Sequence, residues 1–127
     1  MVEVHVNERR ILLVEDEPLI GRLCIRTLAV DGFQVDIACN GLVAKDMLGK
    51  ESYRLCLIDI RTPAMNGIEL YRYLEAEHPE LLSTVIFTTG DMLSGEIQRF
   101  LKEVNRPFLA KPFTPHDLRA VVGKALK

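Results

Sequence analysis

The sequence predicts an α/β domain: a five-stranded parallel sheet, doubly wound by helices on both faces. Three observations predict it. Short apolar runs alternate with longer amphipathic ones along the chain of 127 residues, which is the pattern of strand and helix repetition. Several short runs are apolar at nearly every position, as strands buried on both faces must be. Charged residues stand directly after three of these runs, and in an open parallel sheet the carboxyl ends of the strands line one edge.

The elements follow in order. Arg10–Val14 is the first strand candidate. A helix from Pro18 to about Val30 opens with proline at an early helical position and stops before Asp31-Gly32. Gln34–Ala38 is the second strand, and Gly41–Gly49 carries Leu42, Ala44, Met47 and Leu48 at helical spacing. Leu55–Ile58 is the third strand. The helix Gly67–His78 has Ile68, Leu70, Tyr71 and Leu74 on one side and ends before Pro79. Thr84–Thr88 is the fourth strand, followed by a helix from Ser94 or Gly95 to Val104. Phe108–Ala110 is the fifth strand. Thr114 to Leu126 starts with Thr-Pro and carries Leu118, Val121, Val122 and Leu126 on one side. Right-handed crossovers between parallel strands lead to the flavodoxin-like order 2-1-3-4-5, with its switch point between strands 1 and 3. Residues 1–9 read as an N-terminal extension and residues 10–127 as one domain.

Composition narrows the function classes. The chain is 48% hydrophobic and 27% charged with net charge −2, and it has no basic stripe of the kind that marks nucleic-acid binding. No apolar run approaches the roughly 20 residues that cross a bilayer. The first eight residues lack the basic start and apolar middle of a secretory signal, so a cytoplasmic protein is expected, without direct contact to nucleic acid or membrane. Cys24, Cys39 and Cys56 share no metal-ligand spacing. His5, His78 and His116 are scattered.

Chemistry gathers at the strand ends. Glu15 and Asp16 follow strand 1, Asp59 ends strand 3, and Lys111 ends strand 5. Asp16 could simply cap the helix at Pro18. Three acids at one switch point are harder to explain as caps, because two unit charges about 4 Å apart at an effective dielectric near 20 repel by roughly 4 kcal/mol. A magnesium ion offsets that repulsion, since it takes oxygen ligands, accepts one or two carboxylates and keeps several waters. A carboxylate beside it, with an open face, could attack a phosphoryl group. Lys111 and the hydroxyls of Thr88 and Thr89 would then neutralise and position the phosphoryl oxygens. Thr89 is the better candidate, because Gly90 after it permits close approach to a ligand.

Four stretches together resemble the receiver domain of two-component response regulators: Val14-Glu15-Asp16-Glu17-Pro18, Asp59-Ile60-Arg61-Thr62-Pro63-Ala64-Met65-Asn66-Gly67, Phe87-Thr88-Thr89-Gly90-Asp91 and Phe108-Leu109-Ala110-Lys111-Pro112-Phe113. The resemblance implies that Asp59 accepts a phosphoryl group from a phosphohistidine. It implies that Glu15, Asp16, Asp59 and the backbone carbonyl of Arg61 hold Mg2+. Thr89 becomes the switch hydroxyl, Lys111 the conserved-type lysine and Phe108 the switch aromatic. Lys111-Pro112 is expected to be cis.

The implied partners are a sensor histidine kinase or a histidine phosphotransfer protein, with a homodimer through helix 4, strand 5 and helix 5 left open. Such a domain is no enzyme toward a separate substrate; it catalyses only its own phosphorylation and slow dephosphorylation. The wording around Thr89 and Lys111 resembles receivers attached to hybrid sensor kinases, so a stand-alone protein and a piece of a larger one both remain open.

The chain departs from the commonest family pattern at Glu15, where aspartate is more usual, at Thr62, Ala64 and Asn66 in the loop after Asp59, and at Phe108, where tyrosine is frequent. Arg61 and Asp91 stand two residues beyond Asp59 and Thr89, and an ion pair between them would shield the phosphoryl group. Among rivals, a haloacid-dehalogenase-type phosphatase needs an acid where Arg61 stands. A flavodoxin needs a phosphate-binding loop where Glu15-Asp16-Glu17 would repel one. A receiver-like docking module that is never phosphorylated is the remaining alternative.

Overall fold

The computed structural model describes residues 9–127; the expected N-terminal extension, apart from Arg9, lies outside the described residues. Strands β1 (Arg10–Val14), β2 (Gln34–Ala38), β3 (Leu55–Asp59), β4 (Val85–Thr89) and β5 (Phe108–Ala110) form one parallel sheet in the order β2-β1-β3-β4-β5. This is the doubly wound, flavodoxin-like order expected from the sequence. The helices are α1 (Pro18–Ala29), α2 (Gly41–Leu48), α3 (Gly67–Glu77), α4 (Gly95–Val104) and α5 (Pro115–Ala125).

Side chains alternate across a strand, so each central strand feeds two cores. Leu12, Val14, Cys56, Ile58 and Phe87 face α2, α3 and α4, where they meet Ala44, Leu70, Leu74 and Phe100. Ile11, Leu13, Leu55, Leu57 and Ile86 face α1 and α5, where they meet Cys24, Leu28, Leu118 and Val122. Burial on both faces explains why these runs show no polar alternation. On the first face Tyr71, Phe87 and Phe100 form an aromatic trio with centroids 5.2–5.7 Å apart, a spacing that favours tilted and edge-to-face contact. Burial pushes the thiols of Cys24 and Cys56 up to about 12, so both behave as small apolar side chains.

Helix starts follow their capping residues. Asn66 and Glu69 form a reciprocal capping box on α3, and Thr114 and Asp117 form one on α5. The cap of α1 is Glu17, without a side-chain capping bond, so Asp16 does not cap that helix. The fourth strand begins one residue later than expected. Pro79–Thr84 forms a 3-10 turn, in which the Thr84 hydroxyl donates to the Leu81 carbonyl at 3.2 Å and so stays with the turn.

Candidate functional site

The parallel register brings the strand ends to one crevice. Val14 pairs with Ile58, Asp59 with Thr88, and Thr89 with Ala110. Glu15, Asp59, Thr89 and Lys111 therefore stand side by side along the edge, although they are far apart in sequence.

Lys111 is the hub. Its Nζ lies 3.0 Å from Asp59 Oδ2, 2.9 Å from Glu15 Oε1 and 3.3 Å from Glu17 Oε1. The peptide bond between Lys111 and Pro112 is cis, as expected. Burial works against the Lys111 charge, but hydrogen bonding and charge from Glu15 and Asp59 outweigh it and hold its ammonium above the usual lysine range. Burial pushes the Glu15 carboxyl above its ordinary value, and the neighbouring Asp59 charge adds to this against the opposing pull of Lys111. Asp59 accepts two hydrogen bonds, from Lys111 Nζ on Oδ2 at 3.0 Å and from the Arg61 backbone N–H on Oδ1 at 3.1 Å. The second places Arg61 beside the cluster.

The loop after Asp59 is pressed close. A Cβ on Gly67 would stand 2.7 Å from Ile60 Cα and 3.0 Å from the Asp59 carbonyl oxygen, so only glycine fits there. Thr89 is fully buried, and its Oγ1 accepts from the Asp91 backbone N–H at 3.0 Å. That leaves the hydroxyl hydrogen free to donate. Gly90 plays no steric part: a Cβ on it would meet only Lys111 Cβ at 3.9 Å. Arg61 Nη2 meets Asp91 Oδ2 at 2.5 Å, the ion pair expected from their positions. Phe108 points outward and is 43% exposed.

Glu17 joins the expected acids at the crevice. The carboxylates of Glu15, Glu17 and Asp59 offer oxygens within 4.8 Å of one another, whereas Asp16 is exposed and outside that group. The reason is the backbone. Glu17 itself has extended dihedrals, φ −92 and ψ 112, while the chain bends at Asp16. Glu15 and Glu17 both face Lys111, and Asp16 lines a cavity with the two of them. Sequence reasoning missed Glu17; the i, i+2 spacing of acids just past a strand was the signal.

The donor set suits a hard dication. Glu15 Oε1 is buried, and its neighbour of opposite charge is Lys111 Nζ at 2.9 Å. Three carboxylates facing one ammonium leave excess negative charge, and oxygen-only ligands match Mg2+.

A doubly wound 2-1-3-4-5 sheet with an acid cluster and a lysine at its crevice defines the class, a receiver-type α/β domain. The chain belongs to the response regulator receiver domain family, whose model matches residues 11–123, and so to two-component signalling. It is 34% identical to the response regulator protein PilR of Pseudomonas aeruginosa over 96% of this chain, and it spans 27% of PilR. Among solved structures, a CheY-like receiver domain protein from Methanospirillum hungatei superposes with TM-score 0.83 at 28% identity, covering 93% of each chain. The receiver domain of a Pseudomonas aeruginosa sensor histidine kinase, solved with magnesium coordinated in its active-site cleft, superposes with TM-score 0.81 at 26% identity, covering 93% of this chain and 97% of that one. No helix among the described residues is long and apolar enough to cross a membrane.

Proposed function

We propose that Asp59 is the phosphoacceptor of a Mg2+-dependent, cytoplasmic receiver that takes its phosphoryl group from the phosphohistidine of a sensor kinase or phosphotransfer protein. The observation that carries this reading is the gathering of the Glu15, Glu17 and Asp59 carboxylates around one ammonium, with Asp59 already oriented by two donors. Glu15, Asp16, Asp59 and the Arg61 carbonyl are the expected metal ligands, and Glu17 stands ready beside them. When bound, the ion neutralises the charge that builds on the phosphoryl oxygens.

The chain's own groups do the rest. An Asp59 oxygen forms the new O–P bond as the P–N bond breaks and its electron pair returns to the donor imidazole. Lys111 then transfers its contact from the Asp59 carboxylate to the phosphoryl oxygens. The free Thr89 hydroxyl hydrogen donates to the same group, whose charge near −2 and acceptor oxygens favour such contacts. Movement of Thr89 vacates space into which Phe108 rotates, which reshapes the surface of α4, β5 and α5.

Acetyl phosphate with Mg2+ should add one phosphoryl mass to the protein, and none to Asp59→Asn. An unlabelled parent would favour the docking module that is never phosphorylated. With beryllofluoride, amide NMR shifts around residues 90–104 should move; unmoved shifts would sink the switching step.

A further inference from the structure

The loop between β3 and α3, residues 60–66, has no helix or strand of its own, yet one carbonyl in it is held from two sides. The Met65 carbonyl oxygen accepts from the Thr62 hydroxyl at 2.9 Å and from the Gly41 backbone N–H at 3.0 Å. Gly41 is the first residue of α2, and the first N–H groups of a helix have no partner within it. The Met65 carbonyl supplies one. The approach is close: a Cβ on Gly41 would stand 2.5 Å from that oxygen and 2.7 Å from Met65 Cγ, so α2 accepts only glycine at this point. The loop is thereby fastened to a helix that contributes no carboxylate to the acid cluster.

Thr62 is the other end of this clasp. It is buried, whereas Arg61, Pro63 and Ala64 around it are exposed. A buried hydroxyl without a partner is costly, and the Met65 carbonyl is its acceptor. Pro63 follows and disfavours helical dihedrals at Thr62. The peptide unit joining Arg61 to Thr62 carries the Arg61 carbonyl, and its atoms lie close to one plane. Both ends of that plane are held. At the Arg61 end the backbone N–H donates to Asp59 Oδ1 at 3.1 Å, and the guanidinium pairs with Asp91. At the Thr62 end the side chain is bonded to Met65, and Met65 in turn to α2. With one end free, the plane could turn about the other.

We propose that Thr62 is a positioning residue: its hydroxyl, bonded to the Met65 carbonyl, fixes the Thr62 end of the Arg61–Thr62 peptide and so keeps the Arg61 carbonyl oxygen ready for a hard dication at the Asp59 crevice. The inference rests on the proposed reading of that carbonyl as a metal ligand. Groups that orient a ligand from behind alter metal affinity without touching the ion. Thr62 is also one of the places where this chain departs from the commonest pattern of its family, so the clasp belongs to this sequence.

The test compares Thr62→Val, which keeps the shape and removes the hydroxyl, with Thr62→Ser, which keeps the hydroxyl. Amide NMR shifts during a Mg2+ titration of the unphosphorylated protein give the metal affinity, and amide hydrogen exchange is followed without metal. Thr62→Val should weaken Mg2+ binding about three- to tenfold, the scale of one neutral hydrogen bond, and should speed exchange at Gly41 and Arg61. The Asp117 amide, which donates to Thr114 Oγ1 at the start of α5 on the other face of the sheet, should exchange as in the parent. Thr62→Ser should restore both readouts. Parent-like Mg2+ affinity in Thr62→Val, an equal loss in Thr62→Ser, or weaker binding without faster exchange would overturn the proposal. So would exchange accelerated at Asp117 as well, because that marks general loosening of the fold. A parent that binds no Mg2+ sinks the metal reading together with this inference; a parent that binds it beside an unchanged Thr62→Val sinks this inference alone.

Discussion

Arg61 and Asp91 tie the loop after β3 to the loop after β4, Nη2 to Oδ2 at 2.5 Å. Each of these residues also donates its backbone N–H into the site, Arg61 to Asp59 Oδ1 and Asp91 to Thr89 Oγ1. The pair thus adjoins both Asp59, the proposed acceptor, and Thr89, the proposed switch hydroxyl. Its side chains are 58% and 43% exposed, so it contributes under about 1 kcal/mol to stability. Its effect belongs to water access. Arg61→Ala should speed loss of the phosphoryl group by on the order of threefold or more, about 0.7 kcal/mol of barrier. Asp91→Ala should do the same, and the double variant no more than either. Decay followed by mass spectrometry after removal of the donor checks this; equal or slower decay in Arg61→Ala counts against it.

Asp31 and Arg119 fasten the end of α1 to α5 through two bonds, Nη2 to Oδ1 at 2.8 Å and Nε to Oδ2 at 2.9 Å. The Arg119 guanidinium holds the Asp31 carboxyl below its ordinary value. A depressed folded-state value means that the stabilisation is present above the ordinary carboxylate range, near 4. It is then lost as the pH falls through the lower, folded value. Asp31→Asn should therefore lower the melting temperature at pH 7, and the gap to the parent should close in acid. Calorimetry across that range decides it, and a gap that persists unchanged at low pH would refute the account.

Ala64 has φ 65 in the loop after Asp59. Left-handed backbone costs an L-residue roughly 1–2 kcal/mol, and glycine avoids this at an entropic cost of about 0.5–1 kcal/mol. Ala64→Gly should then raise stability by roughly 0.5–1 kcal/mol in urea denaturation. An unchanged or lower midpoint would show that the loop relaxes by another route.

Much of this molecule was legible before its coordinates, and for physical reasons. Strands such as Leu55-Cys56-Leu57-Ile58 declare themselves because a sheet covered on both faces demands apolar side chains at successive positions. Asp59 and Lys111 were legible because strand ends in such a sheet share an edge. The Arg61–Asp91 pair could be read because both residues follow site residues by two. The approach of Glu17 to Lys111 could not be read from composition, since it depends on how the chain bends between β1 and α1. The start of β4 was misplaced by one residue because the Thr84 hydroxyl answers to a turn that leaves no periodic signal.

Gly67 has a mechanical consequence. With no room for even a methyl group between it and the chain at Asp59 and Ile60, the α3 side of the acceptor behaves as an anvil that cannot recoil. Volume and charge added at residue 59 must be absorbed across the crevice, along β4 and β5, where Phe108 has empty space on either side. Under the proposed function, the absence of a single carbon atom at Gly67 would steer the response away from α3.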